Sequence, residues 1–486
     1  MKIYRLTIVV LLACFLGACN DWLTVNPEEE ISEEDLFKTG EGYRNALNGV
    51  YRVMAGASLY GRELSYGLLG YIGQEYDKEE TGNYGYRNAA DYDWKVARTD
   101  KIITSVWEDT FNAIANCNNI VANIQKEDST KFYLREKERK LIWGEALGLR
   151  ALLHFDILRL FGASPADDKG EKYVPYVETY PVMFPDKLTT DEVLERVIRD
   201  LKEARELVAV YDTVNINMMS DIRLRLEYAG GVELKFLQNR GYRLNYYAVT
   251  ALLARVYLYR GDYENAYKEA DRLITKEKTK EGKDIFSFTS STYAMGQGNI
   301  KFYEDIIFAC YNDKLGNVED EINKDKDLLI LKNVATVFGS ETSDRRYSYQ
   351  TTKLDDGSIQ LIKYKDQPAK TNSYAKVSTR LVPMLRMSEM YYIASEAALK
   401  YLKDKSKAEA YLQFVRGKRA LGALPSSSTD AEFMKLLYQD MRREFLGDGQ
   451  MFFQYKRLNR EILIDGGGEF VVGKNFIVPV PDSENI

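Results

Sequence analysis

Apolar positions recur along this chain at helical spacing. Tyr43, Ala46, Leu47, Val50, Tyr51 and Met54 fall on one face of an amphipathic helix. Ile103, Val106, Trp107, Phe111, Ile114, Cys117, Ile120, Val121 and Ile124 continue the same period over about six turns. A third helix is predicted over Glu136 to Leu160, stopped by Phe161-Gly162 with Pro165 beyond. Gly144 and Gly148 lie inside it, where alanine would be the better helix former, and they predict a close helix contact. Thr190 is expected to cap a fourth helix carrying Val193, Leu194, Val197, Ile198, Leu201 and Ala204.

Two later stretches read as helical hairpins. In residues 245–275, Leu253, Ala254 and Tyr257 precede Gly261-Asp262-Tyr263, and Ala266 and Ala270 follow. Small residues at a helix contact around a Gly-Asp-Tyr turn resemble a tetratricopeptide repeat. From Met387 to Leu421 a second pair is predicted to meet through Ala394, Ala397, Ala398, Ala408 and Ala410. Stacked pairs of this kind build a helical scaffold. Between them, residues 73–98, 208–243, 276–300 and 311–380 are polar, tyrosine-rich and without a sustained helical period. Loops of that length usually carry function or are disordered. Asp305 to Tyr311 and Phe470 to Val480 are expected to be short strands, the latter confined to an edge by Pro479 and Pro481. The fold class predicted is mainly α: tetratricopeptide-like helical repeats with long irregular loops and a few short strands.

The N-terminus changes the cellular picture. Lys2 and Arg5 precede an apolar run from Leu6 to Leu16, too short to span a bilayer. The run ends Leu16-Gly17-Ala18-Cys19, which is similar to a bacterial lipobox. Residues 1–18 are therefore read as a signal peptide and Cys19 as the lipidated mature terminus, and several acyl chains hold where one does not. Loss of Lys2 and Arg5 would take the net charge from −6 to −8, which argues against a nucleic-acid partner. Processing would also remove Cys14, leaving Cys117 and Cys310, both expected free and buried.

Composition then narrows the chemistry. There is one histidine, His154, so no zinc site built on two or three histidines can form. His154 sits mid-helix beside Phe155 and is expected to be a buried, hydrogen-bonded residue. No G-x-S-x-G and no G-x-x-x-x-G-K-[ST] occurs, and Gly466-Gly467-Gly468 reads as a flexible turn. A glycosidase carboxylate pair could be drawn from the 73 acidic residues, but nothing marks one. Arg386, Glu389, Glu396, Arg443 and Glu444 are expected to form structural ion pairs.

In order along the chain, several pieces resemble the SusD/RagB family of Bacteroidetes outer-membrane nutrient-binding lipoproteins. They are Cys19-Asn20-Asp21-Trp22-Leu23, then Glu145-Ala146 with Arg150-Ala151, Phe155-Asp156 and Arg159-Leu160-Phe161-Gly162. Leu385-Arg386, Glu389-Met390-Tyr391 and Ala394 to Ala397 follow. Val415-Arg416 with Arg419-Ala420, Arg442 to Phe445 and Val478 to Pro481 complete the set. The resemblance implies a domain over 19–486, with an N-terminal part to 240 and a C-terminal part from 241. It implies no enzyme and no cofactor. It also implies capture of an oligosaccharide, or a peptide, at the cell surface over a SusC-like TonB-dependent transporter, with the lipid on Cys19 as the outer-membrane anchor. A lipid-anchored repeat scaffold without a small ligand is the alternative, against which the long aromatic loops weigh.

Sugar rings need flat aromatic faces beside polar groups. Tyr76, Tyr84, Tyr86, Tyr92 and Trp94, interleaved with Asn83, Asn88, Asp91 and Asp93, supply that mixture and are the predicted ligand-binding residues, with Trp94 and Tyr92 leading. Tyr311 and Asn312 form a second candidate pair.

Overall fold

A computed structural model describes residues 32–181, 185–227, 235–313, 315, 329–365 and 373–484. Cys19 and the acidic run Glu319 to Asp327 lie outside these residues. The principal helices are α1 (Gly40–Met54), α2 (Tyr84–Ala90), α3 (Ala97–Ile124), α4 (Glu136–Phe161), α5 (Thr190–Asp212), α6 (Tyr246–Arg260), α7 (Tyr263–Asp271), α8 (Met387–Ala397), α9 (Lys405–Lys418), α10 (Asp430–Glu444) and α11 (Met451–Leu458). Neighbours in sequence pack on one another: α3 on α4, α4 on α5, α5 on α6, α6 on α7, α7 on α8, and α8 on α9. This is the stacked helical-repeat architecture expected from the periodicity.

Helix α4 is the spine, with nearly every residue from Leu141 onward buried. Its glycines set the spacing to α5. A Cβ on Gly144 would lie 2.8 Å from the Leu207 Cβ and 2.9 Å from the Ala204 carbonyl oxygen. We expect Gly144→Ala to destabilise the fold despite its better helix propensity, by about 1–3 kcal/mol, the usual cost of overpacking. The chemical-denaturation midpoint would report it.

Helix α5 begins one residue earlier than the sequence suggests. Thr189 is the cap, in a reciprocal capping box with Glu192. Thr190 instead donates its hydroxyl to the Ala163 carbonyl. Gly261, in the left-handed region at φ +83°, makes the α6–α7 turn. The α8–α9 pair meets through Ala394, Ala397, Ala398 and Ala408, but Ala410 faces solvent.

Four two-stranded antiparallel pairs decorate the helices: β1 (Lys172–Pro175) with β2 (Lys187–Thr189), β3 (Ile306–Tyr311) with β6 (Leu381–Arg386), β4 (Thr351–Lys353) with β5 (Ile359–Leu361), and β7 (Ile462–Leu463) with β8 (Glu469–Phe470). The strand expected over Phe470 to Val480 stops at Phe470, and a single 3₁₀ turn, Gly473–Phe476, follows. Gly473 at φ +54° turns the backbone out of an extended path, and Pro479 and Pro481 can donate no ladder bond. The long polar segments are not featureless either. They hold short helices of four to seven residues, such as α2, Asn217–Ser220 and Arg345–Gln350, too brief to show a period.

The expected charge pairs are scaffold. Arg255 binds Glu389 at 2.6 Å and Arg457 binds Glu396 at 2.8 Å. Arg386 meets Asp448 at 2.8 Å, and Arg443 reaches Glu341 at 2.5 Å. Arg419 bridges Asp305, just before β3, to Glu444 at the end of α10, at 2.6 Å from the latter. Arg346 adds Asp344 at 2.7 Å, Asp440 at 3.0 Å and Glu444 at 3.1 Å. His154 is fully buried and stacked on Tyr176 at 4.0 Å. Its Nε2 accepts from the Val177 amide, so Nδ1 carries the proton and donates to the Arg150 carbonyl. Burial pushes its pKa down to about 3, so the ring is neutral. Cys117 and Cys310 are free and buried.

Candidate functional site

The tyrosine-rich segment folds against the helices before it reaches solvent. The Tyr71 ring stacks on Tyr86 at 4.8 Å and meets Tyr76 at 5.1 Å. The Tyr86 hydroxyl donates to Glu63 at 2.9 Å. Tyr76 and Tyr86 are therefore core residues rather than surface platforms, because both rings are enclosed by packing partners and Glu63 satisfies the Tyr86 hydroxyl. Tyr76 also bridges the backbone to Leu331, which brings residues 329–332 alongside.

The exposed part of the segment begins at α2. Asn83 caps it, and Tyr84 stands 57% exposed, with the Arg87 and Arg98 guanidiniums each 5.4 Å from its ring. After α2 the chain turns sharply at Tyr92, whose φ of +57° is in the left-handed region. That turn sends the Tyr92 side chain inward. It is only 8% exposed, and its hydroxyl donates to the Ile72 carbonyl at 2.7 Å. Tyr92 thus serves as a floor instead of the outermost platform.

Trp94, half-buried, lies on that floor with ring centres 5.6 Å apart. Phe470 of β8 also packs on Tyr92, at 5.9 Å. Lys332 sits 5.8 Å above the Phe470 ring and donates to the Gln74 side-chain oxygen at 3.3 Å. Gln74 is buried and fixed by its own bond to the Ala90 carbonyl at 2.8 Å. The result is an aromatic ledge, Trp94 and Phe470 over Tyr92, with a positioned ammonium at its edge. Such a surface can take the C–H face of a sugar ring and offer a donor to its hydroxyls.

Tyr311 and Asn312 are placed elsewhere, at the end of β3. Tyr311 is 43% exposed and meets Tyr242 edge-on at 5.1 Å. The Asn312 amide is used structurally, donating to the Ala55 carbonyl at 2.8 Å. Sequence reasoning missed Phe470, Lys332, Gln74 and Tyr242 as site neighbours. Phe470 carried a signal, as an aromatic following the triple glycine; Lys332 and Gln74 carried none.

Comparison with known proteins reads this geometry further. One family model, described as starch-binding and associating with the outer membrane, matches residues 21–217, and the model of the SusD family matches residues 213–469, more than half of the chain. The chain belongs to the SusD family. A SusD-like protein of Formosa agariphila is 23% identical over the whole of this chain and 97% of its own length. A SusD superfamily crystal structure from Bacteroides thetaiotaomicron is 24% identical with a TM-score of 0.68, covering 92% of this chain and 97% of that one. A putative sugar binding protein from Bacteroides vulgatus superposes at TM-score 0.70, with 20% identity over 92% of this chain and 96% of that one. The SusD-family helical fold matches the repeat architecture described above. Outer-membrane association is a property of the family; among the described residues, no helix is long and apolar enough to cross a membrane.

Proposed function

We propose that this SusD-family protein is a cell-surface glycan-binding lipoprotein. It captures oligosaccharides and delivers them to a SusC-like TonB-dependent transporter of the outer membrane. Residues 1–18 act as its signal peptide and the lipid on Cys19 as its anchor. It binds and does not hydrolyse. The observation that carries the reading is the tandem match of two SusD-family models over residues 21–469. The ledge of Trp94 and Phe470 beside Lys332 supports it, because the two aromatics are half-buried, keeping part of their surface open, while their supports are locked. A structure described as a laminarin-binding SusD-like protein shares the fold, at TM-score 0.63 and 16% identity over 92% of this chain and 98% of that one, and lends the same support. The exposed Tyr84 and Tyr311 and the half-buried Trp94 are the aromatics offered to the ligand. Tyr76, Tyr86, Tyr92 and Asn312 shape the surface from beneath.

The test is calorimetric titration of the mature chain with a panel of neutral oligosaccharides and, in parallel, of short peptides, with product analysis of each mixture. Binding of an oligosaccharide without product formation is the expected result. Binding of peptides alone would replace the glycan with a peptide cargo. Turnover above a mock-purified control would overturn the non-enzymatic reading.

A further inference from the structure

Behind the β7–β8 hairpin lies a half-open cavity of about 360 Å³ that the ledge does not use. Its size is at the lower end of small-ligand pockets, which run from about 300 to 1,000 Å³. Helix α10 supplies one wall through Lys435, Tyr438, Gln439 and Arg442, spaced three, one and three residues apart and so on one face. Tyr455 of α11 and Arg460 just beyond it form the second wall, and the hairpin closes the third.

Three features set this cavity apart. First, Lys435, Arg442 and Arg460 converge on it, and among the described residues none of the three has a carboxylate ion-pair partner. Arg346 and Arg419, by contrast, are matched by carboxylates. Second, Arg460 is held over the Tyr438 ring at 4.5 Å, and Arg442 is braced by the Leu463 carbonyl at 3.0 Å. These contacts fix the planar groups and leave donors over. Third, Tyr438 is 6% exposed and its hydroxyl is enclosed, so its ring is a fixed base for Arg460 and not a donor to the cavity. Glu461 and Glu469 also line the cavity; both are exposed at the rim, as Lys435 is, while Arg442 and Arg460 are half-buried, so the inner charge is positive.

We propose that this cavity binds an oxyanion carried on a sugar, a carboxylate or a sulfate ester, with Arg460, based on the Tyr438 ring, and Lys435 contacting the anion. Charge-assisted bonds from a guanidinium fork suit either group. The hairpin couples this site to the ledge: side chains alternate along a strand, so Glu469 faces the cavity while Phe470 faces Tyr92. The saccharide part of the proposal rests on the glycan-binding reading; the oxyanion part rests on the cavity alone.

The experiment titrates the mature chain with trigalacturonate, its carboxyl-reduced neutral counterpart and a sulfated galactose trimer, at low and high salt. At least tenfold tighter binding of a charged trimer than of the neutral one is expected, weakened by salt, and the ranking of the two charged trimers names the oxyanion. The double variant Lys435→Gln/Arg460→Gln should lose that preference with its melting temperature unchanged. Tyr438→Phe, which keeps the ring beneath Arg460, should leave it unchanged. Trp94→Ala should weaken all saccharides while leaving the charged-to-neutral ratio intact. Equal binding of the three trimers, or a preference that survives the double variant, overturns the proposal. Binding of the neutral trimer alone would overturn it while leaving the glycan reading standing.

Discussion

Arg419→Met should cost about 3–5 kcal/mol of folding stability, the price of stranding buried carboxylates. Arg419 is fully buried between Asp305 and Glu444, themselves without solvent exposure. Methionine fills much of the volume but supplies no charge. The loss should depend on pH in a defined direction. Burial raises the pKa of Asp305 to about 6 even with Arg419 beside it, whereas Arg419 and Arg346 hold Glu444 well below the usual carboxylate range. A carboxyl whose folded pKa is raised favours the folded state at low pH and loses that contribution as pH rises through the folded value. Removing the guanidinium raises Asp305 further and takes away the larger part of what holds Glu444 down. The gap between wild type and variant should therefore be widest above neutral pH and shrink as pH falls toward 4. Thermal melts of the two proteins across that range check this, and a gap independent of pH would show that lost packing rather than stranded charge is the cause.

Trp94→Ala should separate binding from folding. As an anchor on the ledge, its loss should weaken oligosaccharide affinity by more than tenfold, about 2 kcal/mol. Because Trp94 is only half-buried, the stability loss should fall below the 3–5 kcal/mol of a fully buried aromatic. Tyr92→Ala should do the reverse in proportion: it removes a buried ring, a hydrogen bond to Ile72 and the support of Trp94 and Phe470 together. Melting curves and calorimetric titrations of the two variants decide it. Unchanged affinity in Trp94→Ala would move the ligand to Tyr311 and Tyr242.

The helices were legible because a long amphipathic period is a local signal. The run from Ile103 to Ile124 and the stop at Phe161-Gly162 emerge as α3 and α4. The glycines of α4 were legible for a related reason: only close neighbours explain them, α5 at Gly144 and Leu244, just before α6, at Gly148. The short helices within the polar segments left no mark, since one or two turns cannot establish a period. The site was legible as a neighbourhood and not residue by residue. Tyrosine does not announce whether its ring faces solvent, and Glu63 and Tyr71, which draw Tyr86 inward, precede the segment. Phe470 and Lys332 reach the ledge through tertiary contacts that no local pattern encodes.

The turn at Gly466 and Gly467, both at positive φ with open space around them, has a consequence for how such a protein diversifies. Lengthening an exposed loop is cheap, about 0.6 kcal/mol for each doubling. The hairpin it closes carries Phe470 toward one surface and Glu469 toward the other. Insertions or substitutions at this one tip would re-aim both at once and leave the helical stack and its buried arginines untouched. On the proposed glycan-binding reading, ligand preference would thereby be uncoupled from foldability, and selection could exchange the first without endangering the second.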